Sequence, residues 1–313
     1  MKTHGWRFIP DQVLPPLLAN GAVGAVLYTS YLQILGALHE PSSHSSKRVF
    51  PPPPPSAILT AGLAAGGIQS LVAAPLDALH VRFDSRGPEY EHKTMWAYGK
   101  GKLREIGPKG IFAGWGLSFL KDSLGSGLFF MAFETVKSQA YLKFITTYYG
   151  SLEPWVVRRL SLDKNKLGSA AGSWTPVIKP HYALEPGFLM LAGVAASVAQ
   201  QMVLYPLGKI QTLHYGRLEW LDQQAEKSQQ SQSRGRMLRA YYHAYQQTWQ
   251  QCKTQAASMG SVQRWLFRGF WWSTIRQVPS TSAGLVIFEL VRRRFGIGEE
   301  VKISEEGYSI LLS

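Results

Sequence analysis

Apolar residues in this chain gather in five runs, and charge concentrates in the polar stretches between them. The runs extend over Val13–Leu38, Ser56–Leu79, Gly114–Tyr141, Phe188–Leu213 and Gly269–Val291. Each is long enough to cross a bilayer as a helix, which takes about 20 residues. Several hold charges or prolines in their interiors, as helices lining a polar cavity do and plain anchors do not.

The connections predict different things. Glu40–Pro55 is polar and ends in five prolines, Pro51–Pro55, an extended polyproline spacer. Arg82–Lys109 is charged and contains an amphipathic stretch, Met95–Ile106. Leu152–His181 reads as a loose polar loop. His214–Gln263 is rich in glutamine and reads as partly disordered, then helical from about Arg239 to Ala256. The tail beyond Gly298 is polar, with Glu299, Glu300, Glu305 and Glu306.

Two of the apolar runs close alike. Phe133-Glu134-Thr135-Val136-Lys137 ends one, Phe288-Glu289-Leu290-Val291-Arg292 the other. Acid and base three residues apart share one helix face. The likeness extends upstream. Gly62, Gly66 and Pro75 keep the spacing of Gly193, Ser197 and Pro206, and Gly114 precedes Glu134 by the same twenty residues that separate Gly269 from Glu289. Small residues four apart let helices approach closely, and a late proline kinks a helix. The chain is therefore built from repeated units, each a kinked helix, a charged loop with a short helix, and a second helix.

Composition supports membrane helices. Thirty glycines and ten tryptophans suit close packing and interfacial anchoring. A net charge of +13 fits basic flanks facing anionic lipid. No nucleic-acid-binding motif accompanies that charge. Cys252 is the only cysteine, so no intrachain disulfide and no cysteine-based metal site can form. The start, Met1–Trp6, has neither a secretory signal pattern nor an arginine-rich amphipathic presequence. No nucleophile–base pair, phosphate loop or metal cluster points to an enzyme, and no cofactor or metal is expected.

These repeats resemble the mitochondrial carrier family. The family signature is proline, any residue, acid, two residues, base, one residue, then arginine or glutamine. Pro75, Asp77 and Arg82 match it, with His80 in the basic place. The aromatic-basic-glycine end of the short helix is matched by Phe267, Arg268 and Gly269, and less fully by Phe112 and Gly114 with Ala113 between them. The resemblance implies an all-α membrane protein, a bundle of tandem two-helix repeats with short matrix helices. Five transmembrane helices are expected here instead of six. The expected parts are an incomplete first repeat with the Pro-rich linker at 1–55, a second repeat at 56–145, a polar loop at 146–182, a third repeat at 183–294 with a Gln-rich insertion near 216–238, and a polar tail at 295–313. The single early span reads as the second helix of a first unit whose first helix is absent; a first helix without its second stays open.

Family membership also implies roles. Gates would use Glu134, Lys137, Glu289 and Arg292 at one end, and Asp77, His80, Arg82, Lys209 and Gln211 at the other, where Gly208 leaves the third repeat without its acid. Pro75, Pro206 and Pro279 would kink their helices. Substrate contacts a dozen residues before each closing acid fall on Lys121 and Asp122, and on Arg276 and Gln277. Charges inside apolar helices are costly and point to function. Lys121 and Arg276 could hold a carboxylate and Asp122 an ammonium, as in members carrying amino acids or carnitine-like zwitterions. Gly114, Arg268 and Gly269 sit where the family binds cardiolipin, at helix N-termini that favour anions. A monomer in the mitochondrial inner membrane, moving a small zwitterion or carboxylate by alternating access, is the leading expectation. The alternative is a carrier-derived protein that no longer transports, serving as a scaffold, insertase or organelle-dynamics factor, with the outer membrane as its place.

Overall fold

The computed structural model describes residues 14–42, 51–84, 99–101, 103–104, 107, 110, 112–150, 177–178, 180–181, 183–227, 234–295, 301–305 and 308–312. Helix α1 is Leu14–Leu38, α2 is Pro55–Asp84 and α3 is Trp115–Glu134. Helix α3 continues through a π-helical segment, Thr135–Ala140, into α4, Tyr141–Gly150. The later part of the chain supplies α5 (Leu184–Lys227), α6 (Arg234–Ser258), the short α7 (Val262–Phe267) and α8 (Phe270–Phe295). Long helices thus occupy all five apolar runs.

Among the described residues, the stretches Ala19–Leu38, Pro55–Leu79 and Leu184–Gln224 are long and apolar enough to cross a membrane. Helices α3 and α8 have the length but are diluted by polar side chains. Lys121, Asp122, Ser123 and Ser126 lie in α3, and Arg276, Gln277 and Pro279 in α8. Pro75 and Pro206 lie inside α2 and α5. Within α8, the hydroxyls of Ser280 and Thr281 donate back to the Gln277 carbonyl at 3.0 and 3.1 Å, as helical hydroxyls do.

Three expectations change. The span expected as a Gln-rich insertion at 216–238 is largely helix, because α5 runs on to Lys227 and α6 begins at Arg234 rather than Arg239. The cause is a buried stripe. Tyr215, Leu218, Glu219 and Asp222 recur at helical spacing and are all buried. Tyr215 and Leu218 form a core with Ala78, Tyr241 and Ala244, and the Tyr241 hydroxyl donates to Asp222 Oδ1 at 2.8 Å. The second change is at the expected loop 146–182, into which α4 extends as far as Gly150. Its rings pack: Tyr141 and Phe144 meet Phe188 at 5.4 and 5.3 Å between centroids. Third, the polar tail forms strands. β1 (Val177–Ile178), β2 (Val301–Glu305) and β3 (Tyr308–Leu312) make one sheet in the order β1-β3-β2. β1 is parallel to β3 and β2 antiparallel to it. Alternation in Val301-Lys302-Ile303 and β-branched residues favour this. The amphipathic stretch 95–106 falls mostly outside the described residues, with helix at 99–101 and 103–104.

The described residues divide into two compact units. One takes the described residues within 1–34, 61–127 and 200–273, the other those within 35–60, 128–199 and 274–313.

Candidate functional site

Close helix packing sets up the first cluster. A Cβ on Gly62 would lie 2.8 Å from Gly127 Cα, and one on Gly66 2.4 Å from the Asp122 carbonyl oxygen. Only glycine lets α2 and α3 touch backbone to backbone here. Hydrogen bonds fasten the seam. Ser123 Oγ donates to the Leu63 carbonyl at 2.9 Å, and Trp115 Nε1 to Ser70 Oγ at 3.1 Å. Helices α5 and α8 use the same register. A Cβ on Gly193 would meet Ser282 Cα at 3.1 Å. Ser282 and Gly127 each precede their closing acid, Glu289 or Glu134, by seven residues.

The α2–α3 seam brings Asp77, Lys121 and Asp122 together. Lys121 Nζ lies 3.0 Å from Asp77 Oδ2 and 3.6 Å from Asp122 Oδ1. Lys121 and Asp122 are largely buried, at 14% and 9% side-chain exposure, while Asp77 is 38% exposed. Asp122 Oδ2 is buried without a hydrogen-bond partner among the described residues. One ammonium therefore faces two carboxylates, leaving a formal excess of negative charge in a partly dry place. Such a carboxylate oxygen is costly unless a donor arrives.

Asp77 and Lys209, expected at one gate, do not pair with each other: Asp77 meets Lys121. Lys209 Nζ instead donates to the carbonyls of Trp265 and Arg268 at 3.0 and 2.8 Å, and sits 4.6 Å from the Tyr205 ring centroid. A cation at the C-terminal end of α7 meets carbonyls the helix leaves unsatisfied. Gln211 joins a neutral buried chain. Its Nε2 donates to Ser118 Oγ at 2.7 Å, and Ser118 Oγ shares a hydrogen bond with the Tyr215 hydroxyl at 3.0 Å. His214 Nδ1 lies 3.1 Å from Thr248 Oγ1 on α6. Sequence reasoning missed Ser118, His214 and Tyr215; the helical spacing of Tyr215, Leu218 and Asp222 was the available signal. The side chains of His80 and Arg82 lie outside the described residues.

A second ion cluster joins the two closing motifs. Lys137 Nζ lies 3.1 Å from Glu289 Oε2 and 3.3 Å from Glu134 Oε1. Glu289 has 2% side-chain exposure, so this pair is shielded from water and screening ions. Lys137 belongs to the π-helical segment, and its Nζ is 5.3 Å from the Phe133 ring centroid. The side chain of Arg292 lies outside the described residues. Arg276 and Gln277 are exposed on α8.

Gly114 and Gly269 each precede a long helix in left-handed backbone, with φ of 94° and 86°. A tyrosine of α5 crowds each. A Cβ on Gly114 would lie 2.7 Å from the Tyr215 ring, and one on Gly269 2.9 Å from the Tyr205 hydroxyl. Tyr205 donates its hydroxyl hydrogen to the Arg268 carbonyl.

Comparison with known proteins gives partial matches, all to carriers. Residues 51–143 match the family model described as mitochondrial carrier protein. The chain is 25% identical over 185 residues to the mitochondrial glycine transporter of Aspergillus niger, covering 58% of this chain and 56% of that one. It is 28% identical over 137 residues to the mitochondrial thiamine pyrophosphate carrier 1 of Neurospora crassa, covering 44% and 40%. It is 30% identical over 127 residues to the mouse solute carrier family 25 member 45, covering 38% and 43%. The chain thus spans about half the length of the curated relatives it matches. No solved structure matches it.

Proposed function

We propose, from the premise that this chain is a divergent mitochondrial carrier, that it moves a small ammonium-bearing metabolite across the mitochondrial inner membrane. The observation that carries this reading is the Asp77–Lys121–Asp122 cluster, with its buried, hydrogen-bond-lacking Asp122 Oδ2. An ammonium entering there gives Asp122 its missing donor. It also lets Lys121 turn from Asp77 toward a substrate carboxylate. A zwitterion such as an amino acid satisfies both demands in one molecule, in keeping with the name of the glycine-transporting relatives.

Binding energy of this kind can drive a conformational change. A charge-assisted hydrogen bond is worth about 1.5–3 kcal/mol. That offsets part of the cost of an ion pair that must break as the repeats rock in alternating access. Lys137 with Glu134 and Glu289 is the pair group that would open and close. Anionic lipid at the start of α8, beside Arg268 and Gly269, is a further part of the reading.

Uptake into proteoliposomes tests it. Glycine, a matched carboxylate without an ammonium, and thiamine pyrophosphate would be compared. Glycine-like zwitterions should be preferred. Asp122→Asn should lower their uptake about 10- to 100-fold, the loss of one charge-assisted bond. Unchanged uptake by Asp122→Asn, or uptake of the plain carboxylate alone, defeats the assignment. Arg276→Ala tests the α8 position separately.

A second reading is favoured by the neutral Gln211–Ser118–Tyr215 chain, which stands where the family resemblance calls for an ionic gate. A contact that substrate charge cannot loosen fits a carrier-derived scaffold. No uptake of any solute by folded, inserted protein would select it.

A further inference from the structure

The run of five prolines takes no part in the site described above, and its own sequence sets its shape. A residue followed by proline is driven out of the α region toward extended backbone. That constraint falls on Pro51, Pro52, Pro53 and Pro54, each of which precedes another proline. It ends at Pro55, which precedes Ser56. The fold follows the constraint: residues 51–54 are non-helical, and α2 begins at Pro55. Proline at a first helical position forfeits no hydrogen bond.

An extended proline run is a left-handed helix with three residues per turn, so it has three edges. Exposure sorts by edge. Pro51 and Pro54 share one edge and are exposed. Pro52 and Pro55 share the next, half-buried and exposed in turn, while Pro53 lies alone on the third and is buried. The Pro53 carbonyl accepts from Gln139 Nε2 at 3.4 Å, and the Pro54 carbonyl from the Ile58 N–H at 3.2 Å. One edge is fastened to the protein and two are offered outward. A shape held in this way loses little entropy when a partner grips it. The run also joins two stretches long and apolar enough to cross a membrane, Ala19–Leu38 and Pro55–Leu79, so it emerges on the water side of α2.

The chemistry of the run selects its reader. Proline has no backbone N–H, so the run presents rings and carbonyl acceptors only. Its complement is a groove walled by aromatic rings, with tryptophan or tyrosine donors. Pro51 and Pro54 are about 9 Å apart along the run, at three residues of 3.1 Å each. Two proline pairs at that separation call for two slots, as in the SH3 class of groove. Charge agrees with an acidic rim on that groove, because Lys47 and Arg48 precede the run and no aspartate or glutamate occurs between Glu40 and Asp77.

We propose that Pro51–Pro55 is a docking site for a partner protein with an SH3-type groove. One aromatic slot takes Pro51 and Pro52, the other takes Pro54 and Pro55, and Pro53 faces away. Docking here is independent of transport and of the cluster at Asp122.

The test uses the full chain in nanodiscs of phosphatidylcholine and cardiolipin, offered to purified SH3, WW and EVH1 domains beside empty nanodiscs. Saturable binding by an SH3 domain is expected. Pro51→Ala and Pro54→Ala should each weaken it about tenfold, the loss of ring carbons from an aromatic slot. Pro53→Ala should change it less than about twofold, since that ring faces the protein. A soluble peptide ligand of the same SH3 groove should displace the chain, a measurement that needs no substitution. Binding by none of the SH3 domains overturns the proposal. So does binding by WW or EVH1 domains alone, or an equal loss from Pro53→Ala and Pro51→Ala. Binding that survives the competing peptide, or that empty nanodiscs reproduce, overturns it too.

Discussion

Asp122 and Gly66 are coupled through one backbone atom. The missing Cβ of Gly66 is the reason the Asp122 carbonyl can sit where it does, since that atom would approach to 2.4 Å. Gly66→Ala must push α2 and α3 apart, an overpacking cost of about 1–3 kcal/mol. Its melting temperature in detergent should fall by about 2–4 °C for each kcal/mol, and uptake should fall with it. Gly216, helical in α5, has nothing within 4 Å of its absent Cβ. Gly216→Ala should therefore raise stability, by up to about 1 kcal/mol. Asp122→Asn separates function from stability differently. It removes a buried charge that lacks a full set of donors, so the variant should lose uptake while melting no lower than the parent. A clear drop in melting temperature would show Asp122 to be a structural anchor instead.

At the scale of elements, α6 is held by a buried stripe that includes the single thiol. Cys252 packs with Ala256 and Trp265, and burial pushes its thiol above the usual range. Thiolate is the reactive form, so alkylation by a maleimide at pH 7 should be at least about tenfold slower in the folded chain than after denaturation. Equal rates would mean that α6 leaves α5 readily. The Tyr215 hydroxyl is the other fastening of α5; Tyr215→Phe should cost about 0.5–1.5 kcal/mol, read as a melting shift. Much of this architecture is legible in the sequence. Five apolar runs became five long helices, and the equal spacing of Gly62–Pro75 and Gly193–Pro206 became equal packing against Gly127 and Ser282. What composition concealed was the second half of α5. Trp220, Arg217 and the glutamines around it look like loop when averaged, yet Tyr215, Leu218, Glu219 and Asp222 carry the 3.6-residue period. Periodicity outranks average polarity when one face has a partner helix to bury it. The partners of Lys209 were hidden for another reason: the carbonyls of Trp265 and Arg268 are backbone atoms with no signature in side-chain type.

At the scale of the whole molecule, the two closing motifs meet in one shielded pair group. Lys137→Glu should cripple uptake, since it places three carboxylates together. Adding Glu289→Lys restores the opposite charges and should recover part of the loss. Buried pairs broken on one side cost about 3–5 kcal/mol, so the single variant should also melt lower. Absence of any rescue by the double variant would mean that the pair's local geometry, not its charge, matters. The Gln211–Ser118–Tyr215 chain behaves otherwise, for it contains no net charge. An energised membrane exerts about 2.3 kcal/mol on each elementary charge carried through 100 mV, and it exerts no such force on a glutamine amide or two hydroxyls. That fastening should therefore hold with equal strength in an energised and in a de-energised organelle. Voltage acts instead on ionic contacts such as those of Lys121 and Lys137.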